Sequence, residues 1–389
     1  MAAVFLKKDE DHRVRNGHHW VFSNEIEKIE GSVGNGDVVE VKDYIGRPVG
    51  YGFYNNHSLI SIRLLNPNYS GNISQYIRDS IKNAYNLRRA LYPSRNSFRM
   101  VYSDSDYLSG LIVDKYNDTY VLQVYSQGIH KNIGEVVTVL KEEFGAKNIL
   151  SMNDVYFRSL EGLPETNENY LGNAAEEIID DGKIKYKIDF NKSQKTGFYF
   201  DQCDNREFIE RIVKEKSVLD AFCYSGGFGF HAAYAGASSV TFVDSSESAI
   251  ESVRENINLN QITAECDVVK KDVFDYLEEC QSNNKKFDIV MVDPPAFAKV
   301  KKNLRQGIKG YVKLNHLALS IISNHGFLVS SSCSHHLSEE EFLIAVNKAS
   351  IKAGRNIQLI HFNRASLDHP SLPAMNETSY LKFAVFRVL

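Results

Sequence analysis

The residues of this 389-residue chain that are able to do chemistry gather at the ends of short apolar runs. Val218-Leu-Asp-Ala-Phe-Cys-Tyr-Ser-Gly-Gly-Phe-Gly-Phe230 reads as a strand, a glycine-containing turn and the start of a helix. Glycines let the backbone approach a ligand closely at the carboxyl end of a strand, where an open α/β sheet binds its ligand. An ordinary tight turn would carry them too. Asp244 closes the next strand, 24 residues after Asp220, where a carboxylate can accept both hydroxyls of a ribose. Asp272 follows the third strand, in position to receive the exocyclic amine of an adenine, although Lys271 beside it leaves a surface ion pair open. The fourth strand ends in Asp293-Pro-Pro-Ala-Phe297, and the fifth in Ser330-Ser-Ser-Cys-Ser334. The turn Ser225-Gly-Gly-Phe-Gly229 lacks the GxGxxG spacing that a pyrophosphate needs. Adenosine without a pyrophosphate points to S-adenosylmethionine, with Asp220, Phe222, Ser225, Gly226, Gly227, Asp244, Asp272 and Asp293 as its candidate contacts.

These residues need a sheet to line them up. From residue 186 to 389, short apolar strands alternate strictly with helices, which implies a parallel sheet with right-handed crossovers. Between the last two strands, Pro370 and Pro373 break any helix, so an antiparallel terminal hairpin is expected. That variation separates many methyltransferases from dinucleotide-binding Rossmann domains. Residues 1–72 read as a small β-barrel of alternating runs with turns at Gly34-Asn-Gly36 and Asn55-Asn56. Residues 73–185 read as a central α+β domain. It opens with an amphipathic helix from Ile73 to Leu91, whose apolar stripe is Ile73, Ile77, Ile81, Ala84, Leu87 and Leu91, and continues with strands that include one near 155 and one near 185.

Composition excludes several classes. With 43% hydrophobic and 24% charged residues the chain is globular, so disorder is ruled out as its main state. No run of ~18 uncharged apolar residues could cross a bilayer. Met1 to Trp20 carries Lys7, Lys8, Asp9, Glu10, Asp11 and Arg13 and lacks the apolar core of a secretion signal, so a cytoplasmic location is expected. The five cysteines show no CxxC pair, so free thiols are expected, with no metal site. A formal charge of −4 argues against coating a nucleic acid, so any phosphate binding must use local patches.

Asn191 to Arg206 (Asn-Lys-Ser-Gln-Lys-Thr-Gly-Phe-Tyr-Phe-Asp-Gln-Cys-Asp-Asn-Arg), the Asp220 to Gly229 turn, Asp293-Pro-Pro-Ala-Phe297 and Ser332-Cys-Ser334 resemble the class I S-adenosylmethionine-dependent RNA methyltransferases that act at cytosine C5 of large-subunit ribosomal RNA. The resemblance covers the whole chain. Its most specific element is Lys195-Thr-Gly-Phe-Tyr-Phe-Asp-Gln202. It implies an α/β fold: a PUA β-barrel, a central α+β domain and a Rossmann-like class I methyltransferase domain. It also implies that Lys195, Thr196 and Gly197 close over the methionine end of the cofactor. The family usually has Arg where this chain has Cys203, which argues against a catalytic role for that thiol.

Methylating cytosine C5 requires temporary covalent activation, because the carbon is a poor nucleophile. A thiolate adds at C6, C5 attacks the methyl sulfonium, and a base removes the C5 proton to eject the thiol. Cys333 is placed for this at the carboxyl edge shared by Asp220 and Asp293, with His335 and His336 as activating cations if they point inward. A small buried residue at a strand end would read the same way. Asp293 can hydrogen-bond the base edge, and sharing a proton with N3 would stabilise charge on the ring. Pro294 and Pro295 fix the turn, and Phe297 is in place to stack on the base.

Lys299, Lys301, Lys302, Arg305, Lys309 and Lys313 follow that turn with no acidic residue among them, which suits a polyanionic substrate, or a plain solvated loop. Arg78, Lys82, Arg88 and Arg89 on the first helix would be a second RNA contact, or simply a solvent-facing side. The expected partner is ribosomal RNA of the large subunit, without membrane or metal; the oligomeric state stays open, a homodimer included. Two other functions compete: a guanine N-methyltransferase using the Asp-Pro-Pro-Ala-Phe turn, and a non-enzymatic RNA-binding assembly protein.

Overall fold

Two compact units make up the chain in the computed structural model, which describes residues 1–192, 195–298 and 300–389. One unit holds Met1–Ile179, Ile188–Phe198 and Asp368–Thr378; the other holds Asp180–Lys187, Tyr199–Leu367 and Ser379–Leu389.

In the first unit the early alternating runs become β1 (Ala3–Leu6), β2 (Trp20–Phe22), β3 (Ile26–Glu30), β4 (Val38–Lys42), β5 (Pro48–Tyr54) and β6 (Ile60–Leu64). They form one sheet in the order β2-β6-β5-β4-β1-β3. Alternation buries every second side chain, Val4 and Leu6 on β1 and Val39 and Val41 on β4, in one apolar cluster. The helix Ile73–Leu91 forms as expected and buries Tyr76, Ile77, Ile81 and Ala84. Its last turns depart from the expected stripe. Leu87 and Leu91 are exposed, and Arg88 is buried instead, because both ends of its guanidinium reach Asp106 at 2.6 and 2.8 Å.

The basic face expected to meet RNA is engaged within this unit. Arg78 and Lys82 both pair with Glu143, and Arg89 donates to the carbonyls of Pro93 and Arg95. A second sheet, β11-β10-β9-β8-β7, is built from β7 (Ser97–Tyr102), β8 (Leu111–Tyr116), β9 (Thr119–Val124), β10 (Asn148–Ser151) and β11 (Asn169–Leu171). The strand expected near residue 155 is a short helix, Val155–Leu160. Asp154 accepts hydrogen bonds from the Tyr156 and Phe157 amides and so caps a helix start, and the strand lies upstream as β10. Two further strands, β12 (Glu176–Asp180) and β13 (Lys185–Asp189), pair as a hairpin.

The second unit is organised by a seven-stranded sheet of β14 (Ser217–Ala221), β15 (Ser239–Asp244), β16 (Glu265–Lys270), β17 (Phe287–Val292), β18 (Ile322–Ser332), β19 (Ile357–Asn363) and β20 (Lys382–Val388). Their order is β16-β15-β14-β17-β18-β20-β19. Strands β14 to β18 pair in parallel, whereas β20 lies antiparallel between β18 and β19, the terminal hairpin anticipated from sequence. Leu219, Val290 and Leu328 on the central strands share a cluster with Leu277, Leu314 and Phe342 from the helices Val273–Ser282, Leu304–Ser320 and Glu339–Lys352.

The helix Gly227–Tyr234 starts directly after β14 and lies close against β15. A Cβ on Gly229 would fall 2.1 Å from the Phe242 ring, so only glycine allows this approach. Gly229→Ala should therefore cost about 1 to 3 kcal/mol of stability. This would be read as a fall in the urea midpoint, part of which Phe242→Leu in the same chain should recover. An unchanged midpoint in the single variant would show that the ring can yield.

Candidate active site

The turn after β14 has an unusual backbone. Phe222 and Tyr224 take left-handed conformations, with φ of 63° and 49°, and Gly226 has φ of 83°. Two non-glycine residues in that region within one turn store strain, a pattern that clusters at ligand sites. The Phe222 and Cys223 amides bond the Val243 carbonyl at 3.0 and 3.2 Å, which ties the turn to the end of β15. Asp220 is buried, and its Oδ2 accepts the Gly229 amide at 2.8 Å, so the carboxylate fixes the first turn of the following helix. Ser225 is buried, and its carbonyl accepts from Asn256 at 3.3 Å.

Asp244 is half-buried, and each of its oxygens takes one backbone amide, Ser246 at 2.9 Å and Tyr224 at 3.1 Å. A carboxylate offers about four acceptor sites, so two hydroxyls can still be received. Asp272 is exposed and caps the helix Val273–Ser282 through one oxygen, which accepts from Phe274 and Asp275. Its other oxygen has no hydrogen bond among the described residues. These acceptors and the open turn suit an adenosine.

Lys195, Thr196 and Gly197 belong to the first unit. There the buried Tyr116 hydroxyl donates to the Thr196 carbonyl at 2.9 Å and accepts the Phe198 amide at 3.0 Å, which holds the segment.

Asp293 leaves the end of β17, and its amide bonds Ala221 at 3.4 Å across the ladder. Gln202 Nε2 donates to Asp293 Oδ1 at 3.1 Å and to Ser331 Oγ at 3.4 Å. The amide cannot flip without loss, because Gln202 Oε1 accepts from Asn205, whose own Oδ1 accepts from Asn363. Burial pushes both Asp220 and Asp293 up to about 7. Repulsion from Asp201 adds to the rise at Asp293, and repulsion from Asp293 and Asp244 adds to it at Asp220. Arg206, buried nearby, pulls both back down.

Cys333 is half-buried one residue past β18, and its thiol donates to the Pro294 carbonyl at 3.8 Å. The structure thus brings the thiol to the Asp293-Pro-Pro turn. Cys203, Cys223 and Cys280 are buried, and Cys266 sits within β16. The flanking Ser332 and Ser334 are fixed by the buried Tyr311 hydroxyl at 2.8 and 2.9 Å. Phe297 packs its ring 4.8 Å from Tyr311 and 6.2 Å from Phe274. Pro294 is buried and Pro295 exposed.

His335 and His336, offered as activating cations on condition that they point inward, are both exposed, and the His335 ring lies against Tyr380. A cation that does reach this region is Lys382, at the start of β20. It is buried, and its Nζ donates to the carbonyls of Ser334 and Tyr380, each at 2.7 Å. Sequence reasoning missed Lys382, Gln202 and Arg206. A lysine opening the otherwise apolar Lys382-Phe-Ala-Val-Phe386 was a signal for the first.

Lys301, Lys302, Arg305 and Lys309 are exposed and free of ion pairs among the described residues, whereas Lys313 pairs with Glu278 at 2.9 Å. Lys299 lies outside the described residues.

Comparison with known proteins agrees with this architecture. Residues 4–67 match the PUA-like domain family, and residues 197–326 match a family described as conserved hypothetical protein 95. A ribosomal RNA large subunit methyltransferase I from Tolumonas auensis is 34% identical over 396 residues, covering all of both chains. One from Shewanella amazonensis is 35% identical over 391 residues, covering 99% of each. Among solved structures, a methyltransferase crystallised with SAH superimposes over all of both chains with a TM-score of 0.86 at 19% identity, which speaks to the fold. With whole-length identity at this level and both family matches in chain order, the protein belongs to the ribosomal RNA large subunit methyltransferase I family.

Proposed function

We propose that this chain transfers a methyl group from S-adenosylmethionine to C5 of a cytosine in large-subunit ribosomal RNA through a covalent bond between Cys333 and C6. The observation that carries the reading is the position of the sulfur. Of the five cysteines, Cys333 is the one at the Asp293-Pro-Pro turn, half-buried and 3.8 Å from the Pro294 carbonyl. S-adenosylmethionine, when bound, supplies an electrophilic methyl group on a sulfonium.

The Cys333 thiolate adds to C6, and the ring electrons move so that C5 becomes enamine-like. C5 takes the methyl group as the methyl–sulfonium bond breaks and its electron pair stays on the departing sulfur; C5 then loses its proton to a base, and the C6–S bond breaks to return the thiolate. Asp293 assists the addition by sharing a proton with N3 as negative charge develops. A carboxyl pushed to about 7 still holds that proton in a large fraction of molecules at neutral pH. Gln202 keeps Asp293 aimed, and Asp220, Asp244 and Asp272 receive the adenosine. Phe222, Ser225, Gly226 and Gly227 shape its turn, and the family resemblance assigns Lys195, Thr196 and Gly197 to the methionine end.

The substrate is an unpaired or easily opened RNA segment, since the base must leave its stack to reach a thiol and a sulfonium together. Lys301, Lys302 and Arg305 neutralise its phosphates, and Pro294, Pro295 and Phe297 border the base.

Variants, an adduct assay and nucleoside analysis test this reading. Cys333→Ala should bind S-adenosylmethionine in calorimetry with wild-type affinity yet give no product, and wild-type protein should form a denaturation-resistant adduct with RNA carrying 5-fluorocytosine. Full activity in the alanine variant ends the proposal, and nucleoside analysis of ribosomal RNA from a deletion strain names the alternative: loss of a methylguanosine instead of 5-methylcytidine means N-methylation. Asp244→Ala should weaken S-adenosylmethionine by about 10- to 100-fold, the loss of two hydrogen bonds to ribose.

The pH dependence follows from signs. Asp293 must be protonated and Cys333 ionised, so kcat/KM should rise with the thiol and fall as Asp293 loses its proton around 7. Asp293→Asn should abolish the falling limb and lower kcat by about 10² to 10⁴. A falling limb that survives the substitution assigns it to another group.

A further inference from the structure

We propose that Lys382 is a positioning residue for Cys333, a fixed cation that keeps the thiol ionised near neutral pH. The proposal rests on the Cys333 reading above and deepens it. Lys382 opens β20, and its partner across the ladder with β18 is Ser332, the residue before Cys333. Its ammonium donates to the carbonyl of Ser334, the residue after the cysteine, and to that of Tyr380, both at 2.7 Å. Lys382 is thus tied by its backbone to the residue before the cysteine and by its ammonium to the residue after it.

The charge is also left without an ordinary counterion. Carbonyls orient an ammonium but do not neutralise it, and among the described residues no carboxylate lies within ion-pair distance of Lys382. Removing a cation from water is costly unless an anion compensates. An ionised Cys333 would raise the ammonium more than Glu339 or Glu341 does. Burial pulls the ammonium down to about 8, and a thiolate beside it pushes in the opposite direction.

Among the described residues, an ionised Cys333 acts on Lys382 from β20, Tyr199 from the segment after Phe198, and Tyr311 from the helix Leu304–Ser320. Burial raises both tyrosines above their ordinary range, so they are neutral hydroxyls at pH 7. Asp293, from the turn after β17, faces the same region and is itself pushed toward its neutral form. Of these groups only Lys382 can supply positive charge, and both histidines that follow Cys333 are exposed.

Site-resolved alkylation of Cys333 by iodoacetamide, followed across pH by mass spectrometry on the full chain, tests the proposal. In wild type the midpoint should fall below the ~8.5 of an unperturbed thiol. Lys382→Gln keeps hydrogen-bond donors and removes the charge. Its midpoint should rise by about one pH unit, with alkylation near pH 7 slowed about tenfold. Lys382→Arg should restore the low midpoint. A wild-type midpoint at or above that of a free thiol overturns the proposal without any variant, and so does a Lys382→Gln midpoint equal to wild type, whatever its melting temperature. The 5-fluorocytosine adduct separates the two readings. If the midpoint shifts but wild type forms no adduct, the cytosine-C5 reading falls and the role of Lys382 stands; if the adduct forms and the midpoint does not move, Lys382 alone falls.

Discussion

Parallel pairing of β14, β17 and β18 is the constraint on which the site depends. Ala221 lies opposite Val292, and Val292 opposite Ser330, so the three strands end in one row and Asp220, Asp293 and Cys333 emerge at the same edge. A slip of one residue would turn each side chain to the opposite face. The register is clamped at the other end of β14, where the Ser217 amide and hydroxyl both bond Asp288 Oδ2 at 2.9 Å and the Asp288 amide returns a bond to Ser217 Oγ at 3.0 Å. That clamp lies away from the chemistry, yet it sets where the chemical groups stand.

Bringing these groups together has an electrostatic cost that the surroundings only partly offset. Burial raises both Asp220 and Asp293, repulsion from Asp293 adds to the rise at Asp220 and repulsion from Asp201 adds to it at Asp293, and Arg206 relieves both. A fully satisfied salt bridge would drop Asp293 far below neutral pH and remove its ability to share a proton. Weak donors suit the purpose better. Gln202 gives Asp293 one neutral hydrogen bond, enough to fix direction without stabilising the charged form strongly.

Much of this was legible in sequence because it rests on local patterns. The Ile73–Leu91 helix, the strand and helix alternation after residue 186 and the terminal antiparallel pair follow from periodicity and proline placement, and all three appear in the fold. The candidate residues Asp220, Asp293 and Cys333 were legible because each ends an apolar run. What sequence could not supply was the partner of each charge. Arg88 and Arg89 read as members of a basic face, but Asp106 and the carbonyls of Pro93 and Arg95, which engage them, lie beyond the helix. His335 and His336 follow Cys333 directly along the chain, while Lys382, whose ammonium bonds the Ser334 carbonyl beside it, is 49 positions away in the numbering. The strand placed near 155 failed for a local reason, since Asp154 is a helix cap that the apolar Val155-Tyr-Phe157 conceals.

Strand direction explains how a distant lysine enters the site. In a parallel strand the first residue lies at the edge opposite the ligand, so a lysine opening β14 or β17 would stand far from Cys333. Because β20 runs antiparallel to β18, its first residue, Lys382, pairs with the last residue of β18, Ser332. The reversed strand therefore does more than cover the side of β18: it carries a residue from the amino end of one strand to the carboxyl edge where the acidic residues and the thiol gather. The same antiparallel pairing holds that cation in a ladder rather than on a loop. A side chain rooted in a ladder starts from a fixed backbone position, and the effect of a cation on a thiol depends on the distance between them being short and on water being excluded.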